Sequence, residues 1–151
     1  MPLNRHVLFP LLVAFLALSP ALAGCQSQST EPQLHDGLLM AHLSTMPAEV
    51  QAAADRTREA YQFAVANPDI LRELPCYCGC GPIGHKNNYD CYVADPGENG
   101  AFTYDPHALG CTVCVDITQD AMWLLRQGKT APEIRAYIDR NFERYGPSNM
   151  P

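Results

Sequence analysis

Apolar and polar positions along the chain fall into three helical stripes separated by one irregular stretch. The first stripe starts at Pro47 and runs through Val50, Ala53, Ala54, Thr57, Ala60, Tyr61, Ala64 and Val65. Steps of three and four residues place these positions on one face of an amphipathic helix. Ser44 or Thr45 is suited to its cap and Pro47 to its first turn. Asn67-Pro68-Asp69 ends it, because the residue before proline disfavours helical angles, and a short helical turn follows from Ile70 to Leu74. The second stripe begins after Gly110 with Cys111, Cys114, Val115, Thr118, Ala121, Met122 and Leu125, and stops before Gly128. The third opens on Thr130-Ala131-Pro132-Glu133, the pattern of a capping box, and continues through Ile134, Tyr137, Ile138, Asn141 and Tyr145, with Phe142 beside them.

Residues 75–110 interrupt this order. Glycines and prolines recur throughout, so no regular element of any length is expected there. So long an irregular segment in a small domain needs something to hold it together, and bonds from cysteine are the obvious candidates. The expected fold is mainly α: a small three-helix domain with a long cysteine-rich loop. A chain of 151 residues holds one such domain and a modest core.

The N-terminus changes the picture. Arg5 and His6 precede an uncharged run from Val7 to Leu22, the pattern of a secretory leader. Leu22-Ala23-Gly24-Cys25 resembles a bacterial lipobox, in which cleavage precedes a cysteine that takes a lipid and an acyl chain such as palmitate. The expected organisation is a leader over 1–24, a lipidated Cys25 with a flexible tether over 25–44, and the cysteine-rich domain over 45–151. Residues 26–37 are polar, without aromatics, as a tether requires. Loss of Arg5 with the leader moves the formal net charge from −6 to −7. An acidic chain without a basic patch has no electrostatic route to nucleic acid, and none to anionic lipid beyond the anchor itself.

Seven cysteines less Cys25 leave Cys76, Cys78, Cys80, Cys91, Cys111 and Cys114, an even count that outside the cytoplasm also fits disulfides. In Pro75-Cys76-Tyr77-Cys78-Gly79-Cys80-Gly81, however, neighbouring sulfurs two residues apart cannot form unstrained bridges. Each would need a partner among the remaining three. A soft metal needs the same convergence with fewer contortions, and thiolates with histidine in reserve suit Cu(I) first and Zn second. Cys111-Thr112-Val113-Cys114 is a CxxC at a helix start, where free amides and the helix dipole favour thiolate. Six thiols exceed the four ligands of one tetrahedral zinc. His85 and His107 are candidate ligands, His107 also a candidate proton carrier. His35 and His42 read as solvated, Met122 as core, and Asp90 and Asp116 as caps or loop hydrogen-bonding groups.

Residues 75–114 resemble a known family, the CYCxC or PCYCGC-motif lipoproteins of bacterial envelopes. The similarity rests on PCYCGCG at 75–81, Gly84-His85, Asp90-Cys91-Tyr92-Val93, Pro106-His107-Ala108 and Cys111-x-x-Cys114, with Glu133-Ile134-Arg135 and Ile138-Asp139 beyond. The resemblance implies an envelope lipoprotein. Relatives that place selenocysteine in the motif imply a reactive chalcogen. The expected function is lipid-anchored binding of Cu(I), or of Zn, for storage, delivery or detoxification. The expected location is the cell membrane or outer membrane, facing the periplasm or the exterior, with a metal-receiving or redox protein as partner. Two alternatives stay open: a thiol–disulfide oxidoreductase using Cys111 and Cys114, and a disulfide-stapled interaction module. No thioredoxin-like strand–helix–strand pattern surrounds the CxxC.

Overall fold

The computed structural model describes residues 31–98 and 101–151. The expected leader, Cys25 and the start of the expected tether lie outside the described residues. The fold begins with a hairpin of β1 (Gln33–His35) and β2 (Leu38–Met40), paired antiparallel with His35 opposite Leu38. Its two-residue turn has Asp36 at φ 48° and Gly37 at φ 79°. Positive φ at both central positions matches the right-handed twist of paired strands, and Asp-Gly is a sequence suited to it. Leu38, Met40 and Ala41 are buried. Ala41 N–H donates to Gln62 O at 2.9 Å, and Gln62 Nε2 returns a bond to Ala41 O at 2.8 Å. The packed unit therefore starts ahead of residue 45, inside the stretch expected to be a tether.

The first helical stripe is divided. Leu43–Thr45 forms a 3-10 turn, α1 spans Ala48–Gln51, and α2 spans Asp55–Ala66. Pro47 holds the cap position of α1, and Ser44 and Thr45 cap neither helix. The break has a local cause. Ala54 is extended, and Arg58 donates to the freed carbonyl of Ala53 at 3.0 Å while pairing with Asp55 in the first turn of α2. An acidic residue at a helix N-terminus is favourable, which makes Asp55 a natural restart. Phe63 joins the buried face of α2 with Ala60, Tyr61 and Ala64. A short α3 (Pro68–Arg72) follows, with Pro68 in its first turn.

The 75–110 stretch contains more structure than its composition suggests. It holds 3-10 turns at Gly81–Ile83 and Tyr89–Cys91, strands β3 (Val93–Asp95) and β4 (Thr103–Tyr104), and the short α4 (His107–Gly110). The β3–β4 pair is antiparallel and irregular in register. Helix α5 (Thr112–Arg126) and helix α6 (Ala131–Phe142) then complete the core, and Glu143–Tyr145 adds a last 3-10 turn. The expected capping box is present, with Thr130 N–H donating to Glu133 Oε2 at 2.9 Å.

Helix α5 packs between α2 and α6. Tyr61, Phe63, Leu71, Leu74, Ile117, Met122, Ile134 and Ile138 fill the space between them. Full burial of one such side chain contributes about 1.5–3 kcal/mol. The mainly α expectation holds, with the cysteine-rich stretch laid against the first turn of α5. Among the described residues no helix is long and apolar enough to cross a membrane.

Candidate metal centre

The motif loop leaves Leu74 and bends sharply. Gly79 sits at φ 80°, a conformation that side-chain-bearing residues avoid. In an extended strand, positions two apart are separated by roughly 6.5–7 Å. Here Cys76 Sγ and Cys78 Sγ are 3.4 Å apart, and the donor atoms of Cys76, Cys78 and Cys80 all lie within 4.8 Å of one another. The alternation of the motif has a second use: Tyr77 faces away from the sulfurs, and its hydroxyl donates to Asp139 Oδ1 on α6 at 2.7 Å. That bond fixes the loop to the helical core.

The other thiols meet this loop from two sides. Cys91 ends the 3-10 turn over Tyr89–Cys91 and lies 3.9 Å from Cys80. Cys111 is the N-cap residue of α5, and Cys114 lies one turn in, 3.3 Å from Cys76 and 3.6 Å from Cys78. Two sulfurs held by one tetrahedral ion with bonds of about 2.3 Å stand about 3.8 Å apart, so these contacts are of coordination size. All six thiols are free. Cys76, Cys80, Cys91 and Cys114 are buried, whereas Cys78 and Cys111 are half-exposed.

Both candidate histidines join the cluster. His107 Nε2 lies 3.3 Å from Cys78 Sγ, and the two imidazoles pack edge to face with centroids 5.0 Å apart. His85 is only 8 % exposed, and its Nε2 is 3.3 Å from Asp105 Oδ2. Its Nδ1 is buried without a hydrogen-bond partner. A ligating histidine characteristically gives its other ring nitrogen to a carboxylate, which fixes tautomer and orientation. His85 shows that arrangement with its second nitrogen uncommitted, in a group of donors with Cys80, Cys91 and His107. The residues present therefore fit a soft ion. His35 is exposed and His42 bonds Gln33 at 3.1 Å, both apart from the cluster. Met122 is core, about 12 Å along α5 from Cys114. Asp90 accepts from Lys86 N–H at 2.7 Å, and Asp116 pairs with Arg56 at 3.0 Å.

Several residues beyond the thiols and imidazoles support the cluster. The carbonyl of Cys114 accepts from Tyr92 Oη at 2.9 Å and from Asn88 Nδ2 at 3.4 Å, with Thr118 Oγ1 3.2 Å away. Thr118 Oγ1 gives its one proton to Asn88 Oδ1 at 2.7 Å, which closes a buried polar network beneath the sulfurs. Asp105 holds His85 through one oxygen and accepts from His107 N–H at 2.8 Å through the other. The tail crosses the motif from above. Cys76 N–H donates to Asn149 Oδ1 at 2.6 Å, and Asn149 N–H donates to Cys76 O at 3.1 Å. Asn149 Nδ2 reaches His85 O at 3.1 Å, Asn87 O at 3.3 Å and Cys80 Sγ at 3.7 Å.

Crowding polarises the thiols. Hydrogen bonding with Cys114, then with Cys91, pulls Cys76 down to about 2 despite its burial. Hydrogen bonding with Cys91 draws Cys78 to about 5, with burial opposing and His107 assisting. Cys111 falls to about 7, chiefly through Cys114. Cys91 and Cys114 are raised, foremost by hydrogen bonding with Cys114 and Cys111 respectively. Burial lowers His107, but its hydrogen bond with Cys78 and the neighbouring thiolate charges outweigh this and raise it. A thiolate is the form that binds a metal.

The model of a family described as proteins of unknown function with a PCYCGC motif matches residues 13–151, and the chain belongs to that family. The match covers far more than the motif and includes the tail that carries Asn149. No curated protein and no solved structure matches the chain.

Proposed function

We propose that this PCYCGC-family member is a lipid-anchored envelope protein that binds a soft thiophilic ion, Cu(I) in preference to Zn, for storage, delivery or detoxification. The observation that carries the proposal is the convergence of six thiols and two imidazoles, with His85 braced on Asp105 and its other nitrogen buried and unpaired. Cu(I) is preferred because sulfur dominates the donor set and no carboxylate belongs to any of the close groups. When bound, the ion is cargo, and the chain supplies its ligands, their orientation and their shielding from water. Cys25 would hold the domain at the membrane, and the half-exposed Cys78, His107 and Cys111 would face a metal-receiving partner.

Anaerobic purification, elemental analysis, and thiol counting before and after chelation test this directly. Bound copper or zinc with thiols released by chelator is the expected result. Free thiols without metal uptake from supplied Cu(I) or Zn would overturn it. That outcome would favour thiol–disulfide exchange at Cys111, which is half-exposed and caps α5. Cys25→Ala is expected to move the protein from the membrane fraction to the soluble one, and unchanged fractionation would remove the anchor.

A further inference from the structure

We infer that the cluster is a two-ion centre, with an inner site closed to solvent and an outer site open to exchange, joined by Cys76. The inference rests on the metal-binding proposal and goes beyond it in number, partition and kinetics. Its basis is the reach of a single ion. With bonds of about 2.3 Å, two ligands on one ion stand no more than about 4.6 Å apart. The donors form two sets of four whose members lie within 4.8 Å of one another, close to that limit: Cys78, His107, Cys111 and Cys114 on one side and Cys80, His85, Cys91 and His107 on the other. Cys111 and His85 share no such set, so one ion does not serve both ends.

The sets overlap at His107, whose ring nitrogen serves one ion. His107 contacts Cys78, which assigns it to the first set. Cys80, His85 and Cys91 then form the second, and Cys76 lies between the two. Its sulfur is within 4.8 Å of Cys78 and Cys80, and likewise of Cys91 and Cys114, so it touches two members of each set. A thiolate has lone pairs enough to bridge two ions, whereas a single imidazole nitrogen does not. Four outer donors and three inner ones are thereby joined through the eighth, Cys76.

Burial makes the two sites unequal. Cys80, His85 and Cys91 are all buried, as is the linking Cys76, and this inner set is overlaid by Asn149. In the outer set Cys78, His107 and Cys111 are half-exposed, and only Cys114 is buried. An incoming chelator or partner thiol displaces outer ligands one at a time, while the inner ion stays behind a wall of protein.

The test uses the full chain, kept anaerobic and saturated with Cu(I). Bound metal is determined by elemental analysis, and withdrawal by excess bicinchoninate is followed by its colour. Two ions per chain are expected, released in two phases of equal amplitude, the first at least about tenfold faster. Cys111→Ser should abolish the fast phase and leave one slowly released ion, and Cys78→Ser provides a second outer-site variant with retained helical circular dichroism as the folding check. His85→Ala should do the converse and leave one rapidly released ion. One ion per chain, three or more, or a single phase for two would overturn the two-site partition while leaving metal binding intact. A chain that takes up no Cu(I) would overturn both.

Discussion

Removal of the Asn149 side chain is expected to loosen the motif from a distance of 69 residues in sequence from Cys80. Asn149 Oδ1 accepts from Cys76 N–H at 2.6 Å, and Nδ2 donates to His85 O at 3.1 Å and Asn87 O at 3.3 Å. Each hydrogen bond contributes about 1 kcal/mol net, and partial exposure of the site brings the total for Asn149→Ala to about 2 kcal/mol. For a folded domain of this size that corresponds to a fall in Tm of about 6–10 °C. Asn149→Asp separates the contacts by sign. It keeps the acceptor for Cys76 N–H but sets a carboxylate oxygen against two carbonyls and the Cys80 sulfur, so it should destabilise at least as much as alanine despite its near-identical shape. Because those contacts also hold His85 and Cys80 in place, Cu(I) affinity measured by chelator competition should fall about tenfold in both variants. Differential scanning calorimetry of the apo-protein and competition titration read the two effects independently. If Asn149→Asp retained wild-type Tm and wild-type affinity, the tail would be an incidental contact and the role given to it would be wrong.

Three further perturbations bear on other parts of the centre. Asp105→Asn keeps an oxygen for His107 N–H but loses the carboxylate behind His85, so Cu(I) affinity should drop about tenfold or more by competition, and an unchanged value would uncouple Asp105 from the site. Tyr92→Phe removes the bond to Cys114 O and the polar contact with Thr118 in a fully buried position, with an expected loss of about 1–3 kcal/mol read as a lower urea midpoint at constant m. Gly79→Ala meets no atom within 4 Å, so its expected cost of about 1–2 kcal/mol is conformational alone. Gly79→Asn should cost less, because asparagine tolerates positive φ, and equal losses for the two would refute that cause.

The helices were legible in the sequence wherever one periodic stripe coincided with one element. Helices α5 and α6 follow their stripes, and Thr130 with Glu133 announces the start of the second. The first stripe misled because alanines at 53 and 54 continue a helical pattern without demanding burial, whereas Asp55 and Arg58 stabilise a break there. Asp36-Gly37 is a strong hairpin signal that polar neighbours outweighed. At the centre, all eight thiol and imidazole donors were recognisable by residue type and spacing. Their partners were not. Asp105, Asn88, Tyr92 and Thr118 act through contacts of long sequence separation, and Asn149 sits in a tail with no periodicity at all.

Clustered sulfur is by itself an ambiguous observation, since a protonated cysteine is a small apolar side chain and is often buried in cores without metal. The polar atoms at this cluster distinguish the two cases. A hydrophobic packing of neutral thiols gives no reason for His85 to be 8 % exposed with Nε2 against a carboxylate and Nδ1 unpaired. A buried nitrogen left without a partner costs about 1–3 kcal/mol, a penalty that replacement by an apolar residue would avoid. Nor does simple packing require the carbonyl of Cys114 to accept from two side chains at once, Tyr92 and an asparagine already engaged with Thr118. That network leaves the helix start little freedom, and a fixed helix start sets the direction of the Cys114 sulfur. Preorganisation of this kind adds nothing to a core that could repack, but it raises affinity for an ion whose ligands would otherwise have to be gathered. The same polar contacts that stabilise the fold thus also hold the donors at coordination distances.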